Sequence, residues 1–333
     1  HKVNSIMSDQ ITNSPTDDGD LKRSLSNRHL QLIAIGGAIG TGLFMGSGKT
    51  ISLAGPSILF IYMIIGLMVF LVMRALGELL LSNLQYKSFI DFSTDLIGPW
   101  AGYFVGWTYW LCWITIGIAD LSAIIYYLQF FNNGMPFTPL EGVLISVASI
   151  IFITGLNLAT VKLFGEMEFW FAMIKIIAIV VLIAVGAWMV FTGFTSTAGE
   201  VAAFSNLWSH GGMFPTGLGG FLAGFQIAIF AFVGVELVGT TAAETKDPEK
   251  NLPKAVNSIP IRIIIFYVLA LVIVMAVTPW NKIDPSISPF VNLFSQAGIA
   301  AAAIIMNLVV LSSVMSSMNS GVFSTSRMLF GLS

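Results

Sequence analysis

Long runs of apolar residues alternate with short polar segments along this chain. Eight runs contain no Asp, Glu, Lys or Arg, and they cover residues 50–73, 96–119, 121–140, 142–161, 176–199, 201–235, 263–281 and 285–326. A helix needs about 20 apolar residues to cross the hydrocarbon of a bilayer, and most of these runs reach that length. The pattern predicts an all-α polytopic membrane protein.

Turn-forming residues between the runs set the bounds of the predicted helices. Gly55-Pro56, Gly98-Pro99 and the Gly- and Pro-rich segment 211–220 are the clearest breaks. We therefore predict eight membrane helices, over residues 30–50, 55–82, 98–130, 139–160, 167–192, 217–243, 260–280 and 289–325. The segment TKDPEKNLPKAVNSIP is predicted to be a structured loop in which Pro248 and Pro253 limit helix formation.

The first predicted helix contains GGAIGTGLFMGSG, with six glycines in thirteen positions. Each glycine costs a helix about 1 kcal/mol relative to alanine. The stretch could allow close helix packing, could form a kink, or could break the helix so that freed N–H and C=O groups line a polar cavity. Soluble phosphate-binding and dinucleotide-binding loops are excluded, because Leu43 and Met45 occupy positions where those motifs need glycine.

The sixth predicted helix repeats this arrangement. Its sequence is GGFLAGFQIAIFAFVGVELVGTTAAET, with interruptions predicted at Gly234 and Gly239 and with Glu236 beside them. In transporters built from inverted repeats, interrupted helices in corresponding positions of the two halves surround the binding site. The repetition favours a break in both helices.

Composition and charge place the chain in the membrane and orient it. Hydrophobic residues make up 56% of the chain and charged residues 10%, whereas roughly a quarter of a soluble domain is charged. If the N-terminus is cytoplasmic, every Lys and Arg except Lys49 and Lys282 lies on the cytoplasmic side, as the positive-inside rule requires. We predict a disordered cytoplasmic tail over residues 1–27 and a transmembrane permease domain over residues 28–333.

Five stretches carry a family resemblance, and they run from about residue 28 to the end of the chain. They are RHLQLIAIGGAIGTGLFMGSG, LGELLLSNLQYKSFIDF, LNLATVKLFGEMEFWFAMIK, GFQIAIFAFVGVELVGTTAAETKDPEKNLPKAVNSIPIRI and SGVFSTSRMLFGLS. Together they resemble the amino acid–polyamine–organocation permeases, in their bacterial amino-acid transporter branch. GSGKTISLAGPSI and GPWAGYFVGWTYW are most similar to branch members that carry D-serine, D-alanine and glycine.

The resemblance implies the five-plus-five inverted-repeat fold of LeuT-type transporters, with twelve helices. The first repeat would occupy about residues 28–195, and part of the second would occupy about residues 213–333. The resemblance places four further helices beyond this chain and assigns transport to the intact protein.

The resemblance also implies a function: import of small neutral amino acids by proton symport with alternating access, in the bacterial cytoplasmic membrane. An amino-acid exchanger is the alternative, and the membrane subunit of an ATP-driven importer is a more remote one. An intramembrane enzyme would need a nucleophile with a base, or metal ligands, at membrane depth, and no such pairing is found. The expected partners are the amino acid and the lipid bilayer, with no nucleic acid.

Relatives of this type bind the substrate on the backbone of the two broken helices. The resemblance places the carboxylate on the first helix and the amino group on carbonyls of both helices, with aromatic side chains as pocket walls. An N-terminal half-helix favours an anion and a C-terminal end favours a cation. The implied binding residues are Ala38, Ile39, Gly40, Thr41, Gly42, Phe230, Ala231, Phe232 and Val233.

Three ionisable residues are candidates for proton coupling. Lys175 ends an E-F-x-x-x-x-x-K pattern, in which related proton-coupled permeases carry a lysine where sodium-driven members bind sodium. Its alternative role is snorkelling to the cytoplasmic interface. Glu236 either couples protons or caps the broken helix, and Asp120 has a structural hydrogen-bonding role as its favoured interpretation. We expect protons rather than sodium as the coupling ion, and no cofactor or metal site.

Overall fold

The computed structural model describes residues 25–332 except 87, 160 and 242–244. The predicted tail lies outside the described residues up to residue 24. The described part consists of helices joined by turns and loops. The first half contains α1 (Asn27–Ala38), α2 (Thr41–Phe44), α3 (Gly46–Ala54), α4 (Ile58–Ser82), α5 (Phe89–Leu96), α6 (Pro99–Gln129), α7 (Pro139–Ala159) and α8 (Val161–Phe191).

The second half is more segmented. It contains α9 (Gly217–Ala228), α10 (Leu237–Thr241), α11 (Pro248–Asn257), α12 (Ile259–Arg262), a π-helical stretch (Ile263–Leu269), α13 (Ala270–Val277), α14 (Pro289–Gln296) and α15 (Ala300–Leu332). Six helices in the described residues are long and apolar enough to cross a membrane. The prediction of an all-α polytopic membrane protein is confirmed.

Two predicted boundaries are wrong for identifiable reasons. The helix predicted over 289–325 is two helices, because Gly298 adopts φ +76° and ends α14. A glycine with positive φ just after a helix is a common termination signal. The segment around Pro248 and Pro253 is the helix α11 rather than a loop. Pro248 occupies the first turn, where its missing N–H costs nothing. The helix continues through Pro253, and Leu252 and Val256 on it are buried.

α15 is the scaffold behind the broken first helix. It packs along α6 and α8 and also touches α1, α2 and α7. Lipid tails are as apolar as the helix surfaces, so van der Waals packing and hydrogen bonds between helices hold such a bundle together. Small polar side chains on α15 suit this role; the buried ones are Asn307, Ser313, Ser316, Ser317, Asn319, Ser320 and Ser324.

The segment between α12 and α13 connects two regions of the protein. At its N-terminal end the Arg262 guanidinium donates to the Gln31 carbonyl at 2.9 Å and to the Gln31 side chain at 2.7 Å, which ties α12 to α1. The π-helical stretch follows, and its Tyr267 hydroxyl donates to the Ala231 carbonyl at 2.5 Å. A π-helical stretch is rare and often marks a functional region.

The loop over residues 192–216 joins the two halves and is fastened to α13. The Asn206 side-chain amide donates to the Ala276 carbonyl at 2.8 Å and to the Val201 carbonyl at 3.0 Å. The Ala203 N–H also donates to the Ala276 carbonyl, at 3.0 Å. Asn206 is buried, so these bonds are shielded from competing water.

Replacing Asn206 by alanine tests this attachment. The change removes two buried hydrogen bonds, so we expect Asn206→Ala to destabilise the protein by about 1–2 kcal/mol, because a buried hydrogen bond contributes about 1 kcal/mol. The measurement is the melting temperature in detergent. Asn132→Ala is the matched control, since the Asn132 amide makes one exposed hydrogen bond, to the Met135 carbonyl. Equal melting temperatures for the two variants would contradict the prediction.

Candidate functional site

The first membrane helix is broken where its sequence is richest in glycine. α1 ends at Ala38, and α2 begins at Thr41 after Gly40, whose backbone is extended with φ −150° and ψ −150°. The Gly36 carbonyl accepts from Lys175 Nζ at 2.6 Å, and the Ile39 carbonyl accepts from Ser313 Oγ at 3.1 Å. Side chains of α8 and α15 thus bond backbone groups at the end of α1. Of the three interpretations of this stretch, the structure shows the break.

The sixth membrane helix is broken as well. α9 gives way to a 3₁₀ turn (Ile229–Ala231) and to non-helical turns through Glu236, before α10 resumes at Leu237. Gly234 lies in this break with φ +109°. The interruption predicted at Gly239 is wrong, because Gly239 lies inside α10.

Glu236 bonds the broken backbone directly. Its Oε2 accepts from the Gly234 N–H at 2.9 Å, and its Oε1 accepts from the Tyr109 hydroxyl at 3.1 Å. The carboxyl therefore caps the break and fastens it to α6. This is the structural role that the sequence left open beside coupling. Glu236 does not line the central cavity described below; it lies beside a separate apolar pocket between α4 and α9.

The two breaks touch each other through Gly42. A Cβ added at Gly42 would lie 2.7 Å from the Ala231 N and closer still to the Phe230 carbonyl. Real Cβ atoms do not approach backbone so closely, so only glycine lets the two broken segments meet.

A cavity of about 520 Å³ lies between the two breaks and α6. Six of the predicted binding residues line it: Ala38, Gly40, Thr41, Gly42, Phe230 and Val233. The other three are buried elsewhere. Ile39 and Ala231 are packed inside the bundle, and Phe232 contacts Tyr62 and Tyr267 with ring centroids 5.3 and 5.0 Å away. Phe230 is therefore a wall of this cavity, and Phe232 is a core residue behind it.

Asp120 lies on α6 at the edge of the cavity. Its side chain is 1% exposed, and its Oδ1 accepts from the Thr41 hydroxyl at 2.9 Å. This bond fixes the start of α2 against α6, as the favoured structural interpretation expects. Oδ2 is buried without a hydrogen-bond partner in the described residues, although a buried carboxylate oxygen normally has one.

Lys175 lies inside the bundle and does not snorkel. Its side chain is fully buried, and besides the Gly36 carbonyl its ammonium donates to Ser316 Oγ at 2.9 Å. The cation therefore bonds the C-terminal end of α1, where the helix dipole is negative. The snorkelling alternative is wrong.

Sequence reasoning missed the residues behind Lys175. Glu168 is fully buried, and its two carboxylate oxygens accept from Ser316 Oγ at 3.0 Å and from Asn319 Nδ2 at 2.8 Å. Asn319 in turn accepts from the Asn157 amide at 2.6 Å. A signal was present, because Glu168 lies two helical turns before Lys175 on the same face of α8.

The remaining metal-ligating residues are dispersed. Within the described residues, no three His, Cys, Asp or Glu side chains converge as a metal site would require. His29 is buried and contacts Glu166 at 2.9 Å, beside Arg28. Cys112 is exposed on α6.

Comparison with known proteins identifies the group to which this arrangement belongs. The family model described as "Amino acid permease" matches residues 29–333. The chain is 68% identical to the D-serine/D-alanine/glycine transporter of Escherichia coli strain K12, over 94% of this chain and 65% of that protein. It is 55% identical to the amino-acid permease AapA of Bacillus subtilis, over 94% of this chain and 66% of the relative. It is 45% identical to the aromatic amino acid transport protein AroP of Escherichia coli, over 94% of this chain and 67% of the relative. These matches confirm the resemblance read from the sequence.

The contact between the two breaks is testable through Gly42→Ala. We expect this variant to melt at a lower temperature in detergent, because inserting a methyl group into tight packing costs about 1–3 kcal/mol. Gly117→Ala on α6 is the matched control, since a Cβ there has nothing within 4 Å. The control should leave stability unchanged or raise it, because alanine favours a helix over glycine. A Gly42→Ala protein as stable as the control would contradict the contact.

Proposed function

The chain belongs to the amino acid permease family, and from that premise we propose that the full-length protein imports small neutral amino acids by alternating access. The chain spans 65% of the length of the E. coli relative, so the activity is proposed for the whole protein. Its place would be the bacterial cytoplasmic membrane, with a cytoplasmic N-terminus. Family membership puts the chain among permeases rather than enzymes.

The observation that carries this proposal is a cavity shared by two broken helices. The start of α2 at Thr41 and Gly42 borders the cavity, and so does the broken segment at Phe230 and Val233. Exposed N–H groups suit a carboxylate, and exposed carbonyls suit an ammonium group. A zwitterionic amino acid fits such a backbone clamp without a charged side chain for each of its ends.

Glycine, D-alanine and D-serine are the substrates that we propose. The E. coli transporter named for these three is 68% identical to this chain. A clamp made of backbone groups holds the ends common to all amino acids, so selection by size falls to the cavity walls. Phe230, Trp113 and Ile116 supply apolar surface to that wall.

Proton symport is the proposed driving mechanism. An amino acid without net charge is not concentrated by the membrane potential alone, and one accompanying proton adds about 2.3 kcal/mol per 100 mV. A buried lysine can release and rebind a proton. The Lys175 ammonium bonds the Gly36 carbonyl, so a change in its protonation would change the hydrogen bond at the end of α1. By the resemblance, this ammonium stands where sodium-driven relatives bind sodium, so we propose no sodium dependence.

Transport into liposomes tests the substrate and the driving ion together. We expect full-length protein in sodium-free, empty proteoliposomes to accumulate radiolabelled D-alanine only under an inward proton gradient. Lys175→Ala should abolish this accumulation, because it removes the titratable group beside the break. Lys282→Ala is the control and should keep accumulation. Lys282 is an exposed lysine that pairs with Glu200 at 3.9 Å and takes no part in either break.

Two results would contradict the proposal. Uptake that occurs only when the lumen is preloaded with amino acid would replace symport by exchange. Gradient-driven accumulation that survives in Lys175→Ala would remove Lys175 from the coupling mechanism.

A further inference from the structure

A continuous chain of hydrogen bonds leads from Lys175 to a second buried ionisable group. Lys175 Nζ donates to Ser316 Oγ at 2.9 Å, and Ser316 Oγ donates to Glu168 Oε2 at 3.0 Å. One hydroxyl group therefore lies between the ammonium and the carboxylate. A serine hydroxyl both accepts and donates, so it can relay a proton between them.

The three members of this chain are shielded from solvent. Lys175, Ser316 and Glu168 are each 0% exposed. A single charge in such surroundings is expensive, whereas opposite charges that are joined by hydrogen bonds offset each other. The stable states of this pair are therefore both residues charged or both neutral.

The carboxyl group of Glu168 is held so that only one oxygen faces the relay. Its Oε1 accepts from Asn319 Nδ2 at 2.8 Å, and Asn319 is itself fixed by the Asn157 amide. An amide N–H offers no lone pair, so Oε1 stays an acceptor and a proton arriving from Ser316 goes to Oε2.

We propose that Glu168 receives the proton that Lys175 releases, through Ser316, and that it forms the next step of the proton path after Lys175. The proposal rests on the proton symport proposed above. In the transfer, one N–H bond of the ammonium breaks and its proton goes to Ser316 Oγ, while the Ser316 hydrogen moves to Glu168 Oε2. The pair changes from one positive and one negative charge to two neutral groups, and no other reactant is needed.

The transfer changes the contact that holds the broken helix. In the charged state the Gly36 carbonyl accepts a charge-assisted hydrogen bond, which is roughly twice as strong as a neutral one. In the neutral state that bond weakens. Glu168 also faces this point of α1, since a Cβ added at Gly36 would lie 3.8 Å from Glu168 Oε2. Transfer of the proton to Glu168 therefore weakens the hydrogen bond that holds the end of α1.

Few other ionisable groups of the described residues approach these hydrogen bonds between Lys175, Ser316 and Glu168. Asp120 on α6 is close enough to Lys175 to interact electrostatically with it. His29 on α1 pairs with Glu166, which lies two residues before Glu168 on α8. The helices α7 and α15 face Glu168 with neutral groups, which are the Asn157 and Asn319 amides and the Ser316 hydroxyl.

Two variants of the full-length protein interrupt this series of hydrogen bonds in different ways. Glu168→Gln removes the carboxylate that would accept the proton. Ser316→Ala removes the hydroxyl that would relay it and leaves both ionisable groups in place. In both we expect D-alanine accumulation driven by the proton gradient to fall at least about tenfold, within the usual effect of losing a positioned proton-transfer group. Counterflow, the exchange of labelled for unlabelled D-alanine at equal pH, should stay close to wild type. Glu166→Gln is the matched control, because Glu166 is an acidic residue of the same helix that takes no part in these hydrogen bonds. This variant should keep both accumulation and counterflow.

A spectroscopic readout separates proton transfer from a structural role. Infrared difference spectra of the full-length protein with and without saturating D-alanine, at one pH, should show the band of a protonated carboxyl group, because the transfer moves a proton within the pair during transport and does not change the number of protons bound. Glu168→Gln should lose this band and Glu166→Gln should keep it. If Glu168→Gln does not fold, the band should still shift in Ser316→Ala, where Glu168 loses its hydrogen-bond donor.

Each of the following results supports or overturns the proton relay from Lys175 to Glu168. Loss of accumulation with retained counterflow in both variants, together with the missing band, supports the relay. Normal accumulation in both variants, with normal accumulation in wild type, overturns the relay and leaves symport intact. Loss of counterflow in Ser316→Ala as well as in Glu168→Gln overturns the relay in favour of a structural role. Wild-type protein that exchanges D-alanine but never accumulates it overturns symport and the relay with it.

Discussion

The hydrogen bond from Lys175 Nζ to the Gly36 carbonyl is the contact on which the centre of this protein depends. A helix broken at membrane depth frees backbone groups that lipid cannot satisfy, and each unsatisfied group costs several kcal/mol. α1 can end at Ala38 only because α8 brings a cation and α15 brings the Ser313 hydroxyl to its last carbonyls. The packing of α15 against α8 and α1 is therefore a condition for the cavity to exist.

Each charged side chain at the two breaks complements the half-helix that it meets. Lys175 lies at the C-terminal end of α1, where the helix dipole is negative. Asp120 bonds the first residue of α2, and Glu236 precedes the first residue of α10, so both carboxyl groups lie at positive helix ends. These charges thus stabilise the interruptions themselves. The cavity between the breaks is lined mainly by backbone groups and apolar side chains, and Asp120 and Lys49 also belong to its lining.

The sequence was sufficient for the features that follow from local chemistry. Uncharged runs predicted the membrane helices, and the glycines around residues 36–42 and at Gly234 predicted both breaks. The sequence could not separate Phe230, which borders the cavity, from Phe232, which packs behind it, because an irregular segment has no period to assign its faces. Glu168 was missed for a different reason. Its importance comes from Ser316 and Asn319, which lie about 150 residues away and are brought to it only by the packing of α15.

The membrane segment that contains the π-helical stretch is anchored at both ends to different parts of the protein. Arg262 ties its N-terminal end to α1, and the loop around Asn206, which connects the two halves, is tied to its C-terminal end. Between these anchors lies the π-helical stretch Ile263–Leu269. Tyr267 on this stretch bonds the Ala231 carbonyl, so a displacement of the segment between its two anchors would reach the break in the sixth helix directly.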